Sequence, residues 1–147
     1  MSLYSPTEIT AKIKGLDARQ LNDLATKKII KPAKETPGQG SSRMYNKKNI
    51  LQIMVAIAVR GKLSIKLTKK LINLAVNSKK KWVFFQEGVD GKLYLFHRSD
   101  EPITTLPIIS ADNPAWEVVS YEMNSPQAFT FFSIDIGGMK EFIKNNF

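Results

Sequence analysis

Apolar residues recur every three or four positions through most of residues 6–76. From residue 82 onward they alternate or gather into short aromatic runs. The first spacing predicts helices and the second predicts strands. A first helix is expected over residues 6–13. Ser5 is its N-cap, Pro6 its first residue and Glu8 the return partner of a capping box, with Ile9 and Ile13 as its apolar stripe. After Lys14-Gly15-Leu16, Asp17 can cap a second helix over 18–27. Leu21, Leu24 and Ala25 share one face of it; Arg19, Gln20, Asn22, Asp23 and Lys27 take the other. Two short helices around a tight glycine turn form a helix-turn-helix pattern.

Beyond it, residues 29–32 and 43–45 read as two short strands around a Pro/Gly/Ser-rich tip at 34–42, a hairpin and a candidate wing. A third helix follows over 47–60, capped by Asn46 and closed by Gly61, with Ile50, Met54 and Ile57 as its stripe and Leu51, Ile53 and Ala58 nearby. A fourth spans 65–76 behind Ser64, with Leu67, Leu71, Leu74 and Ala75 facing inward. In the second half, runs at 82–86 and 92–97 flank Asp90-Gly91, a hairpin signal. Residues 116–123 and 128–136 read as two more strands, and 139–145 as a closing helix after Gly137-Gly138. The expected fold class is α+β. An N-terminal winged helix-turn-helix (four helices plus a β-hairpin wing) precedes a small antiparallel β-sheet domain with one C-terminal helix. The expected units are 4–76, a basic linker at 77–81, and a β-rich domain at 82–147 for effector sensing or dimerisation.

Charge divides the chain at the same place. Residues 1–81 carry 18 Lys and Arg against four acidic residues, net +14; residues 82–147 carry net −5. Twelve of the fourteen aromatics lie in the acidic part. A basic helical half beside an acidic aromatic half points to a polyanion-binding module joined to a module with another task.

Several motifs fall in a characteristic order. Tyr4 precedes Glu8-Ile9. The second helix reads Asp17-Ala18-Arg19-Gln20-Leu21-Asn22-Asp23-Leu24-Ala25. Lys28-Ile29-Ile30-Lys31-Pro32 enters the hairpin, Arg43-Met44-Tyr45-Asn46 leaves it, and Gly61-Lys62-Leu63-Ser64-Ile65 opens the fourth helix. Over this half the chain resembles the MerR family of winged helix-turn-helix transcriptional regulators. The family pattern has Gly where Lys28 stands, Arg-Tyr-Tyr where Asn22-Asp23-Leu24 stand, and a long dimerisation helix where strand-like sequence begins near Trp82. The resemblance implies a bacterial, cytoplasmic regulator of transcription that binds double-stranded DNA. The departures leave an excisionase-like or architectural protein-interaction module as the alternative.

On the DNA reading, the second helix enters the major groove. Arg19 would pair with guanine, Gln20 and Asn22 with adenine, and Asp23 with cytosine; equally, Arg19 and Asp23 at i, i+4 spacing can form a surface salt bridge. Lys27, Lys28, Lys31, Lys34, Arg43, Lys47 and Lys48 would neutralise phosphates. Tyr45 reads as a packing residue with a polar tip. Tyr94, Phe96, Trp116, Tyr121, Phe129 and Phe131 are either the core of a small sheet or a candidate ligand pocket for a small-molecule effector, and the acidity of this half can serve subunit contacts in a homodimer. No membrane partner and no cofactor are expected. Neither is an enzyme: His97 is the sole histidine, cysteine is absent, and Glu117 and Glu122 fall on opposite faces of a strand.

Overall fold

The computed structural model describes residues 1–36, 42–79, 82–87, 93–99 and 132–147. Among these residues the protein is α+β, with helices α1 (Pro6–Lys12), α2 (Ala18–Thr26), α3 (Lys47–Ala58), α4 (Ile65–Val76) and α5 (Ile136–Asn146). The strands are β1 (Lys34–Glu35), β2 (Arg43–Met44), β3 (Trp82–Glu87), β4 (Leu93–Ser99) and β5 (Phe132–Asp135). β1 and β2 form a two-stranded antiparallel sheet. A second antiparallel sheet has the order β4-β3-β5. No helix among the described residues is long and apolar enough to cross a membrane.

The helix starts follow from their caps. The Ser5 hydroxyl accepts from the Glu8 N–H at 3.3 Å, and a Glu8 carboxylate oxygen accepts from the Ser5 N–H at 2.7 Å. Asp17 and Gln20 form the same reciprocal pair on α2, and Asn46 and Asn49 form it on α3. Donation by the Ser5 backbone N–H and then by its hydroxyl holds the Glu8 carboxyl below its ordinary value of 4.5. A depressed carboxylate stabilises the fold above its unfolded value and loses that contribution as pH falls through the folded value. Acid titration from pH 6 downward is therefore expected to loosen α1 below about pH 4.5. Glu8→Gln should flatten that part of the profile, read by amide exchange in α1.

The hairpin begins later than the apolar run suggests. The sequence places its first strand at 29–32, but Ile29 and Ile30 both donate their N–H groups to the Leu24 carbonyl, at 2.9 and 3.2 Å. Those bonds close the end of α2, so the ladder starts at Lys34, opposite Met44. A separate bridge adds the N-terminal segment, with Tyr4 and Tyr45 exchanging both backbone bonds at 2.8 and 2.9 Å.

α3 is buried almost all round. The stripe expected from Ile50, Met54 and Ile57 is only part of it: Ile50, Leu51, Ile53, Val55 and Ala56 are all buried, while Met54 and Ile57 are half-exposed. Its two packing partners explain this, since α4 lies against one side and α5 against another.

The closing helix starts earlier than expected. Gly137 and Gly138 read as a break before it, but they sit in its first turn. Asp135, the last residue of β5, accepts from the Gly138 N–H at 2.8 Å. A Cβ at Gly138 would stand 2.5 Å from the Asp135 carboxylate, so the glycine leaves room for the cap. Composition divides the chain at 77–81, yet the hydrophobic core continues across that point. Ile134, Ile136 and Ile143 belong to the same cluster as Ile9, Ile53 and Leu71. Side-chain bonds span the division as well. The Tyr4 hydroxyl donates to the Phe147 carbonyl at 2.6 Å, and the Lys140 ammonium to the Ser78 carbonyl at 2.8 Å. Lys12 donates to the Asn146 carbonyl and sits 4.8 Å from the centre of the Phe147 ring.

Candidate nucleic-acid interface

α2 packs on Leu21 and directs its polar residues outward. Arg19, Asp23 and Thr26, spaced four and three apart, run down the middle of the exposed face. Asn22 lies on the flank toward the β1–β2 hairpin. Gln20 and Lys27 lie on the opposite flank, beside α3 and α4.

The amides on this face are already engaged. The Gln20 side-chain oxygen accepts from the Asp17 N–H at 2.9 Å, closing the α2 capping box. The Asn22 side-chain oxygen accepts from Nη1 of Arg43. Adenine readout by Gln or Asn needs the amide oxygen and nitrogen together. In this arrangement each amide oxygen already accepts one bond, so pairing with adenine would make it serve two donors at once. Among the described residues no ion pair joins Arg19 to Asp23, so both keep their side chains available on the exposed face.

Arg43 does not project into solvent as a lone cation. It is half-buried on β2, directly across the ladder from Glu35. Its Nε donates to the Glu35 carboxylate at 2.7 Å while Nη1 reaches Asn22, so one guanidinium ties the hairpin to α2. Below it, Tyr45 is 1% exposed. Burial pushes its phenol above the ordinary value, with Arg43 opposing and Glu35 reinforcing the shift.

Lys27, Lys28, Lys31, Lys34, Lys47 and Lys48 are all exposed, spread from the end of α2 through the hairpin to the start of α3. Lys28 is unusual, with φ at +55°. It follows the C-cap residue Lys27, its N–H donates to Ala25 at 3.0 Å, and the N–H of Ile29 donates to Leu24 at 2.9 Å. This is the Schellman closure, which ordinarily places glycine at the left-handed position. A lysine there is strained by about 1–2 kcal/mol. Lys28→Gly is expected to gain roughly 0.5–1 kcal/mol, because glycine relieves the strain but loses more chain entropy on folding. Urea unfolding checks the gain. Lys28→Ala, which keeps the strain, should show none of it.

Sequence alone does not single out Asn49. It is 6% exposed. Its amide nitrogen donates to the Lys31 carbonyl and to the Gln52 side chain, both at 3.0 Å, and its oxygen accepts from the Asn46 N–H at 3.2 Å. It therefore fastens the entry of the hairpin to the start of α3. The available signal is its place three residues after the Asn46 cap, normally a Glu or Gln position. Sequence also passes over Glu35, since its role depends on which residue faces it across the ladder.

Of the candidate ligand-pocket aromatics, Tyr94 and Phe96 lie on β4. Tyr94 pairs with Gln86, while Phe96 has no partner in the register, because Phe84 pairs with His97 and Phe85 with Leu95. That skip is a β-bulge. Trp116, Tyr121, Phe129 and Phe131 lie outside the described residues, as do the expected turn at 89–91 and the strand at 116–123. A groove of about 190 Å³ lies elsewhere, between α2, α3 and α4. Leu24, Ile29, Ala56, Ile57, Leu63 and Ile65 form its apolar walls, with Asp23, Lys27 and Arg60 among its polar ones.

Comparison with the models of known protein families finds none that matches this chain, and a search of curated proteins finds no match either.

Proposed function

We propose that the chain is a double-stranded DNA-binding regulator of transcription built on a winged helix-turn-helix. In this reading α1 and α2 are the helix-turn-helix and β1–β2 is the wing. The observation that carries it is the set of exposed cations Lys27, Lys28, Lys31, Lys34, Lys47 and Lys48 on the segments that follow α2, with Arg19 exposed on α2 itself. Arg19 is the principal base reader, because it is exposed and, among the described residues, has no ion pair to Asp23, while the oxygens of Gln20 and Asn22 each already accept one bond. Asp23 accepts from a cytosine amine or repels a phosphate, which makes it a discriminator rather than a source of affinity. The lysines hold the duplex backbone, and Arg43 sits where the wing meets the reading helix.

The test is a titration of labelled duplex DNA at 50 and 200 mM salt. A surface that neutralises about six phosphates should lose roughly 10³-fold in affinity between the two. Binding that barely changes with salt, or none, overturns the reading.

Asp23 at the centre of the exposed face favours a second reading, an architectural or protein-interaction module. On that reading Asp23→Asn leaves DNA affinity where it was and weakens a protein complex. On the DNA reading it tightens binding to unselected duplex, since one repulsion is gone.

A further inference from the structure

Arg43 and Glu35 face each other across the hairpin, and the guanidinium that binds Glu35 also holds Asn22 of α2. A guanidinium has five N–H donors; two are engaged here, so donors remain on Nη1 and Nη2. Arginine recognises carboxylate and phosphate with the same planar fork. The Glu35 side chain is about half exposed, at 49%, whereas that of Arg43 is 22% exposed. The carboxylate is thus the loosely held member and the guanidinium the firmly placed one.

The geometry points to Glu35 as an internal stand-in for a nucleic-acid phosphate. In the free protein its carboxylate neutralises Arg43 within the hairpin, while the Arg43 bond to Asn22 joins the hairpin to α2. When a duplex arrives, a backbone phosphate takes the guanidinium and Glu35 turns out to solvent. The exchange is one acceptor anion for another at the same donor, so no proton or covalent bond changes hands. Glu35 sets affinity in this scheme, because every phosphate contact at Arg43 must first displace it. It also sets selectivity, since an anion that engages Arg43 alone gains little over the carboxylate already there. Asn22 is the positioning residue: it holds the guanidinium at the junction of wing and helix whichever anion it carries. This inference rests on the DNA reading above but concerns a residue that reading leaves unused.

Glu35→Gln separates charge from shape, because the amide oxygen it introduces can still accept from Arg43 Nε. The experiment measures duplex DNA affinity for the unsubstituted protein, Glu35→Gln, and the Glu35→Gln/Arg43→Gln pair across a series of salt concentrations. The expected result is binding about two- to fivefold tighter for Glu35→Gln with an unchanged salt slope, since Arg43 carries a phosphate in both bound states. The double substitution should lose that gain together with the Arg43 contact, leaving a salt slope shallower by about 0.9 than that of the unsubstituted protein. If the unsubstituted protein binds DNA and Glu35→Gln binds no tighter, the stand-in role is wrong and the DNA reading survives. A gain that persists without Arg43 is a general charge effect and also overturns it. If no form binds DNA, both fail together.

Discussion

Ile143→Ala is expected to destabilise the whole protein by about 2–5 kcal/mol, the usual effect of emptying a buried isoleucine site. Ile143 lies on α5, far along the chain from the basic helices, yet it is 5% exposed and shares their core. α5 packs on α3, and α3 also carries the packing of α4. A cavity at Ile143 therefore loosens α3, and with it the packing of α4 and the core that the basic half shares. Urea unfolding followed by helical circular dichroism and by tryptophan emission should give one coincident transition, moved to lower denaturant. A basic half that keeps its midpoint while the C-terminal part melts separately would show that the core is divided.

Asn49→Leu is expected to lose roughly 1–3 kcal/mol. The substitution removes the amide that satisfies the Lys31 carbonyl and the Asn46 N–H, and leucine offers no replacement partner. The same change should weaken DNA binding beyond its effect on stability. Lys31 and Lys34 flank the hairpin entry, and the Asn49 bond to Lys31 holds that entry against α3. Asn49→Asp is the informative companion. It keeps the cap acceptor for Asn46 but loses the donor to Lys31, so a disordered hairpin entry with an intact α3 start is expected. Amide chemical shifts of residues 31–36 and 46–50 distinguish the two effects.

The helices are legible in sequence because each has a cap and a 3.6-residue stripe. Ser5, Asp17, Asn46 and Ser64 all cap the helices expected of them. What sequence misses depends on partners distant along the chain. The apolar positions of α3 do not say which elements cover them, and α5 arrives against it from the far end of the chain. The first hairpin strand reads too early because Ile29 and Ile30 have strand-like side chains, while their N–H groups close α2. The glycine pair at 137–138 reads as a stop, although Asp135 ahead of it is a cap signal. The candidate interface is legible as residue types and charge. Its internal commitments are not: Gln20 to a cap, Asn22 and Glu35 to Arg43, and Asn49 to the Lys31 carbonyl each require a neighbour's position. Those commitments move the expected base contact from a group of polar residues to Arg19.

In vitro selection of duplex DNA by the unsubstituted protein and by Arg19→Ala, carried out side by side, tests that claim most directly. The expected result is an enriched motif containing a guanine that Arg19→Ala no longer selects, at a loss of about 1–3 kcal/mol for that base pair. The remaining positions of the motif should be unchanged. No enriched motif, or the same motif from both proteins, would contradict a DNA-reading role for α2.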